Sequence, residues 1–145
     1  MLKEIATFIL NESLGAPWVR DVNFFAGHIP IRNKNGVSPP ERIMAVLENT
    51  SPATDVYLKD KIDKPIQIWN RARTYFTARE DAFEMYDFLH FLDQVSGWFN
   101  LPDLGDGVYT VLVVQADAQP TPIANPGDDG LYVFSTNYTF KIMKD

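Results

Sequence analysis

The chain reads as an α+β domain, with two amphipathic helices packed on one face of a mostly antiparallel sheet of four to five strands. Three observations predict it. Around residue 76 the apolar period changes from two to between three and four, so a strand feeds straight into a long helix. Residues 108–116 are almost wholly apolar and β-branched, as in a central strand. A first amphipathic stretch supplies a second helix, and two helices against one sheet is a stable layer solution. The expected order is α-β-β-(β)-β-α-β-β, in a single domain spanning residues 1–145.

Leu2, Ile5, Ala6, Ile9 and Leu10 share one face of the first helix, and Gly15-Ala16-Pro17 ends it. Residues 22–31, with Phe24 and Phe25, predict a short strand closed by Pro30 and the turn Asn33-Lys34-Asn35-Gly36. Residues 42–49 alternate, with Ile43, Ala45 and Leu47 opposite Arg42, Met44, Val46 and Glu48, and Thr50-Ser51-Pro52 breaks this second strand. Residues 55–64 are polar and fit either a short strand or a loop.

Residues 65–75 alternate again, placing Ile66 and Ile68 on one side and Gln67, Trp69, Arg71 and Arg73 on the other. Thr77 then reads as an N-cap, with Glu80 at the capping-box position. The stripe Ala78, Ala82, Met85, Tyr86, Leu89, Leu92 and Val95 predicts a helix that runs to Gly97. Residues 98–107 read as a surface connection rich in Pro, Gly and Asp. Pro120, Pro122 and Pro126 make 117–130 a loop. Residues 131–143 form the last strand, with Tyr132, Phe134, Tyr138, Phe140 and Ile142 on one face. No internal repeat stands out.

Composition removes several function classes. The chain has no cysteine, which excludes disulfides, thiolate nucleophiles and Cys-ligated metals. Residues 1–14 lack the basic start and continuous apolar run of a signal peptide, and no apolar run spans a bilayer, so work without secretion and without a membrane is expected. The formal charge of -6 argues against clamping nucleic acid, because phosphate binding draws on Lys and Arg. An acidic surface lets DNA pass without sticking.

His28 and His90 have no second ligand at metal-binding spacing, and a structural role is expected for His90. Asp103, Asp106, Asp128 and Asp129 adjoin glycines and read as turn formers. There is no nucleophile elbow and no phosphate-cradling glycine loop. Neither a catalytic residue, a metal nor a cofactor is therefore expected. One constellation does stand out: Gln67, Trp69, Arg71, Arg73 and Tyr75 compose a basic, aromatic strand face. That face suits a solvated sheet, a single nucleic-acid strand or a protein interface, and Trp, Tyr and Arg favour the interface.

The run Pro65-Ile66-Gln67-Ile68-Trp69-Asn70-Arg71, followed by Tyr75, Ala78, Ala82 and Leu89, resembles the strand-to-helix core of tail terminator and minor capsid proteins of long-tailed bacteriophages. Pro120, Pro122-Ile123, Asp128, Gly130, Tyr132, Phe134, Ser135, Asn137 and Tyr138 resemble that family's closing loop and strand. The resemblance implies a non-enzymatic virion protein, assembled in the bacterial cytoplasm, that forms a ring, usually six-fold. It implies partners as well: the tail tube protein, the head connector or head-completion protein, and genomic DNA that passes through without specific binding. The expected function is thus a tail terminator in the phage neck. A head-completion or minor capsid protein of the same particle is the near alternative, and a small α+β ligand-binding or enzymatic domain the distant one.

Overall fold

A computed structural model describes residues 2–11, 18–30, 32, 36, 38–49, 53–54, 60–90, 99–100, 109–123 and 130–144. In chain order the elements are α1 (Leu2–Ile9), β1 (Phe24–Ala26), β2 (Ile43–Glu48), β3 (Ala53–Thr54), β4 (Lys61–Ala72), α2 (Tyr75–Leu89), β5 (Phe99–Asn100), β6 (Tyr109–Ala116), β7 (Thr121–Pro122) and β8 (Tyr132–Lys144). The α+β class and the two helices on one face match expectation. The sheet is larger than the four to five strands expected: six strands run in the order β1-β2-β4-β8-β6-β5, with β3 added beside β4 and β7 beside β8. It is mixed, since β1 and β2 are parallel and every other pair is antiparallel.

β4 starts at Lys61, four residues before the expected start, so the first part of the strand lies inside the polar stretch that fitted strand or loop. β1 keeps only three of the residues expected in its strand. Gly27 follows with a φ of 92°, a left-handed conformation that suits glycine, and directs the chain off the sheet edge. The expected loop at 117–130 contains β7, because Thr121 and Pro122 sit at an edge, where proline's missing donor costs nothing.

Two long antiparallel strands, β4 and β8, form the centre, paired from Lys61 with Met143 to Ala72 with Tyr132. Each has two successive outer neighbours, and these follow one register. Glu48 faces Ile66 as Ala116 faces Tyr138, Leu47 faces Gln67 as Gln115 faces Thr139, and Val46 faces Ile68 as Val114 faces Phe140. The short strands obey the same rule, Ala53 and Thr54 against Asp63 and Ile62, Thr121 and Pro122 against Ser135 and Phe134. Ile66 and Tyr138 are therefore equivalent residues that also face each other, so a local two-fold axis passes through their pair.

The strands thus form an internal repeat, β1-β2-β3-β4 and β5-β6-β7-β8, each set preceded by a helix, but the helices depart from the symmetry: α2 lies over β4, β6 and β8, and the shorter α1 over β1 and β2. The repeat is one of strand register and burial, not of residue identity. Sequence comparison fails because burial repeats and identity does not: equivalent positions hold Ile68 and Phe140, Lys64 and Thr136, Trp69 and Lys141. The symmetry is broken at the outermost strands, where β1 is parallel and β5 antiparallel, and at a bulge between Val111 and Val113.

The main core lies between the helices and the sheet. Ile5, Ile9, Phe24, Met44, Val46, Ile66, Ile68, Met85, Leu89, Val114, Tyr138, Phe140 and Ile142 are all essentially inaccessible there. At one end of it Ala78 and Ala82 let α2 approach Ala72 and Phe134 closely. On the opposite face Phe25, Ile43 and Ala45 are buried too, packed by Ile29, Leu47 and Trp69. β2 is therefore buried on both sides over Ile43 to Val46 rather than alternating between core and solvent.

Candidate interaction surface

The strand-face residues begin from simple geometry. Successive side chains of β4 alternate, so Ile66, Ile68, Asn70 and Ala72 face the helices and Pro65, Gln67, Trp69 and Arg71 face away, half-buried. This register is the expected one. Arg73 and Tyr75 depart from it, because β4 ends at Ala72. Arg73 lies in the bend that follows, and Tyr75 is the first residue of α2. The Tyr75 ring packs edge-on against Tyr132 and Phe134, at 6.0 and 5.2 Å, around the end of the strand.

The basic groups on this face are committed within the chain. Arg71 donates to the backbone carbonyls of Pro40 and Glu41, at 3.0 and 3.2 Å, and Arg73 pairs with the Glu41 carboxylate at 2.5 Å. These contacts hold Pro40 and Glu41 against the outer face of the first repeat, where Ile29 also packs. Trp69 packs beneath that cover with Phe25, Ile43 and Ala45, and its Nε1 is buried with no hydrogen-bond partner. Gln67 donates to Ser135 Oγ at 2.8 Å across the strand pair, and Asn137 beside it is exposed. The outer face of the two central strands is polar around Gln67, Ser135 and Asn137, with Asp63 opposite Lys141 beyond them and Trp69 at its covered margin.

Thr74, not Thr77, caps α2: its φ and ψ of -111° and 145° are extended, and its hydroxyl accepts from Thr77 N at 3.3 Å. Because the strand ends at Ala72, the first threonine after the bend takes the cap, and Thr77 becomes the third helical residue. The helix ends at Leu89, earlier than expected. His90 leaves it with a ψ of 118°, stacks on Tyr86 at a ring distance of 4.9 Å, and accepts the Ala116 N–H at Nδ1. The C-terminal turn of α2 is thereby tied to β6. Leu92, Val95, Gly97 and the acidic turn formers at 103, 106, 128 and 129 lie outside the described residues.

One charge pair ties the sheet to a helix, and a second ties neighbouring strands. Arg42 makes a two-pronged contact with Asp81, at 2.6 and 2.8 Å, joining the start of β2 to α2. The hydrogen bond to Asp81 raises the Arg42 pKa, partly offset by desolvation, and the charges of Asp81, Glu84 and Glu80 add to the rise. The Arg42 guanidinium also lies 5.3 Å over Trp18. Lys64, buried on the helix side, reaches Glu48 at 2.7 Å, and this hydrogen bond lowers the Glu48 pKa. Burial pushes the Tyr138 hydroxyl well above the usual phenol range.

One surface escaped the sequence reading. Phe76, in the first turn of α2, is 72% exposed, the most accessible large apolar side chain among the described residues. The signal was available, since Phe76 and Phe83 stand opposite the stripe of Ala78, Ala82 and Met85. Among the described residues no group of three or more His, Cys, Asp or Glu is placed to hold a metal, and no helix is long and apolar enough to cross a membrane. Comparison of the chain with protein-family models and with curated proteins gives no match.

Proposed function

We propose that this chain is a non-enzymatic structural subunit of a long-tailed phage particle, a tail terminator that forms a ring, ends the tail tube and joins it to the head connector. The observation that supports the reading is the one-sided layering of the sheet. Both helices lie on one face, and the other keeps an open polar area around Gln67, Ser135 and Asn137 where a neighbouring subunit can pack. The sequence resemblance supplies the particle, and the layering supplies a surface for a ring contact. The ring is six-fold in this reading, its partners are the tail tube and the connector, and it works in the virion neck after assembly in the bacterial cytoplasm.

The net charge of -6 suits a lumen through which DNA moves, since a basic lining would hold duplex with strong salt dependence. Imaging of particles carrying labelled chain tests the proposal. Label at the junction of tail and head, with tails of uncontrolled length when the chain is withheld, supports it. Label within the head shell points to a minor capsid role, and particles without the label reject the virion reading.

A further inference from the structure

One backbone amide of β6 has to be satisfied from outside the sheet. The amides of an antiparallel strand point alternately toward its two sides. Asp117, directly after β6, donates its N–H to the Asn137 carbonyl of β8 at 2.8 Å, so the amide of Ala116, one residue earlier, points away from β8. On that side the described residues of β5 pair with Thr110 and Val111, at the far end of β6. The Ala116 N–H is met instead by a side chain: His90 Nδ1 accepts it at 3.1 Å.

The ring is positioned for this task by α2. His90 is the helix C-cap, its own N–H bonded to the Tyr86 carbonyl at 2.9 Å and its imidazole stacked on the Tyr86 ring. A ring nitrogen that accepts carries no proton, so this imidazole is neutral, with its proton on Nε2. A second proton can go only to Nδ1, and two N–H groups would then confront each other across the same contact. The titratable groups around the ring come from three elements. Tyr86 and Asp87 lie on its own helix, Asp117 follows its β6 partner, and Tyr138 of β8 stands opposite that partner. The first helix meets this end of α2 through an apolar contact, Phe8 against Phe88. Phenols and carboxylates change charge outside about pH 5 to 8, and burial pushes the Tyr138 hydroxyl up further, whereas imidazole changes charge inside that range.

We infer that His90 is a proton-operated latch between α2 and β6, closed while the imidazole is neutral and opened when it is protonated. The charged ring has a favourable place to go. The carbonyls at a helix C-terminus attract a cation, no basic side chain occupies the last turn of α2, and Asp87 stands three residues back, at the spacing of neighbours on a helix surface. Protonation therefore draws the ring toward α2 and releases the Ala116 amide at the sheet edge. Met85 and Leu89 remain in the main core, so the opening is confined to the end of the helix and the edge of β6. The direction with pH follows from the acceptor: the bond is present above the imidazole titration and is lost as pH falls through it. The latch is a property of the single chain, so it stands or falls separately from the terminator reading.

Amide hydrogen exchange of the full chain, read by NMR at about pH 7.5 and about pH 5.5 and corrected for the intrinsic effect of pH, tests it. Protection of the Ala116 amide is expected to fall at least about threefold at the lower pH, while Ile68 in the central strand β4 keeps its protection. The nitrogen spectrum of the neutral His90 ring should show the proton on Nε2. His90→Phe keeps a ring to stack on Tyr86 and removes the acceptor, so its Ala116 amide should be weakly protected at both pH values. Equal Ala116 protection at the two pH values in the wild type overturns the inference, as does a neutral ring protonated on Nδ1. So does an acid-induced loss that Ile68 shares, which would be general loosening, or one that persists in His90→Phe, where the other histidine, His28, is intact. If that variant does not fold, the wild-type exchange and the ring tautomer decide alone.

Discussion

The repeat running from β1 to β4 and the repeat running from β5 to β8 share a register and bury the same side of it, yet they treat the other side differently. In the first, Arg71 grips the carbonyls of Pro40 and Glu41, and Trp69 sits under the segment that Arg71 holds. In the second, the equivalent positions are Met143 and Lys141. The buried side differs as well: Lys64 with Glu48 in one repeat corresponds to Thr136 with Ala116 in the other, and Asn70 corresponds to Ile142. A strand register thus depends on alternation alone and survives exchange of almost every side chain. Covering of the outer face depends on a few specific contacts and is not shared.

The largest expected effects test whether the two repeats form one cooperative core. Ile68 and Phe140 occupy equivalent buried sites. Truncating Phe140 to Ala is expected to cost about 3–5 kcal/mol and Ile68 to Ala about 2–5 kcal/mol, each read from urea unfolding. Both variants should unfold in a single transition, since β4 and β8 pair along their whole length. Two separate transitions would show that the repeats are independent units that merely touch.

The Asn70 and Ile142 sites give an effect of opposite sign. Asn70 is fully buried and both polar atoms of its amide lack a partner, whereas its equivalent is aliphatic. Asn70→Leu, close in shape, is expected to stabilise the fold by about 1–2 kcal/mol by removing an unsatisfied amide. A loss of stability instead would mean that the amide is hydrogen-bonded in solution and that the two sites differ in kind.

On the outer face, Trp69→Ala should cost about 1–2 kcal/mol, because the indole packs on Phe25, Ile43 and Ala45. Lys141→Ala, at the equivalent position, should stay within about 0.5 kcal/mol of the wild type. Thermal melting of the two variants side by side measures how far the cover over the first repeat matters. Equal costs would remove the distinction between the repeats.

Much of this architecture was legible in residue patterns. Alternation placed Ile66 and Ile68 toward the helices and Gln67, Trp69 and Arg71 away, and the stripe Ala78, Ala82, Met85, Leu89 gave the buried face of α2. What alternation does not encode is the end of a strand. Arg73 and Tyr75 continue the period in sequence but follow the bend after Ala72, so the expected five-residue face retains three members. Nor does composition reveal whether a charge is engaged. Arg71 and Arg73 looked available for a partner, and both are bound to the segment around Glu41, which is remote in sequence. The repeat was illegible for a related reason, since register is a property of paired strands and no single strand displays it.

The smallest effect concerns the charge pair that only the first repeat possesses. The hydrogen bond from Lys64 holds the Glu48 carboxyl below its ordinary value of 4.5. A depressed carboxylate pKa means that the folded chain binds a proton less readily than the unfolded chain does. The contribution is therefore complete above the unfolded value and is lost as pH falls through the folded one. Glu48 is 59% exposed and solvent screens much of the attraction, so about 0.5 kcal/mol is at stake. Glu48→Gln removes the titration. The stability difference between wild type and variant should be constant from pH 7 to pH 5 and shrink below pH 4.5. The second repeat offers the internal control: Ala116, the equivalent of Glu48, has nothing to titrate, so Ala116→Ser should leave the acid limb of the stability curve unmoved. If the Glu48→Gln difference persists unchanged to pH 2, the pair contributes through packing of the Lys64 chain rather than through charge, and the two repeats are then more alike electrostatically than their sequences suggest.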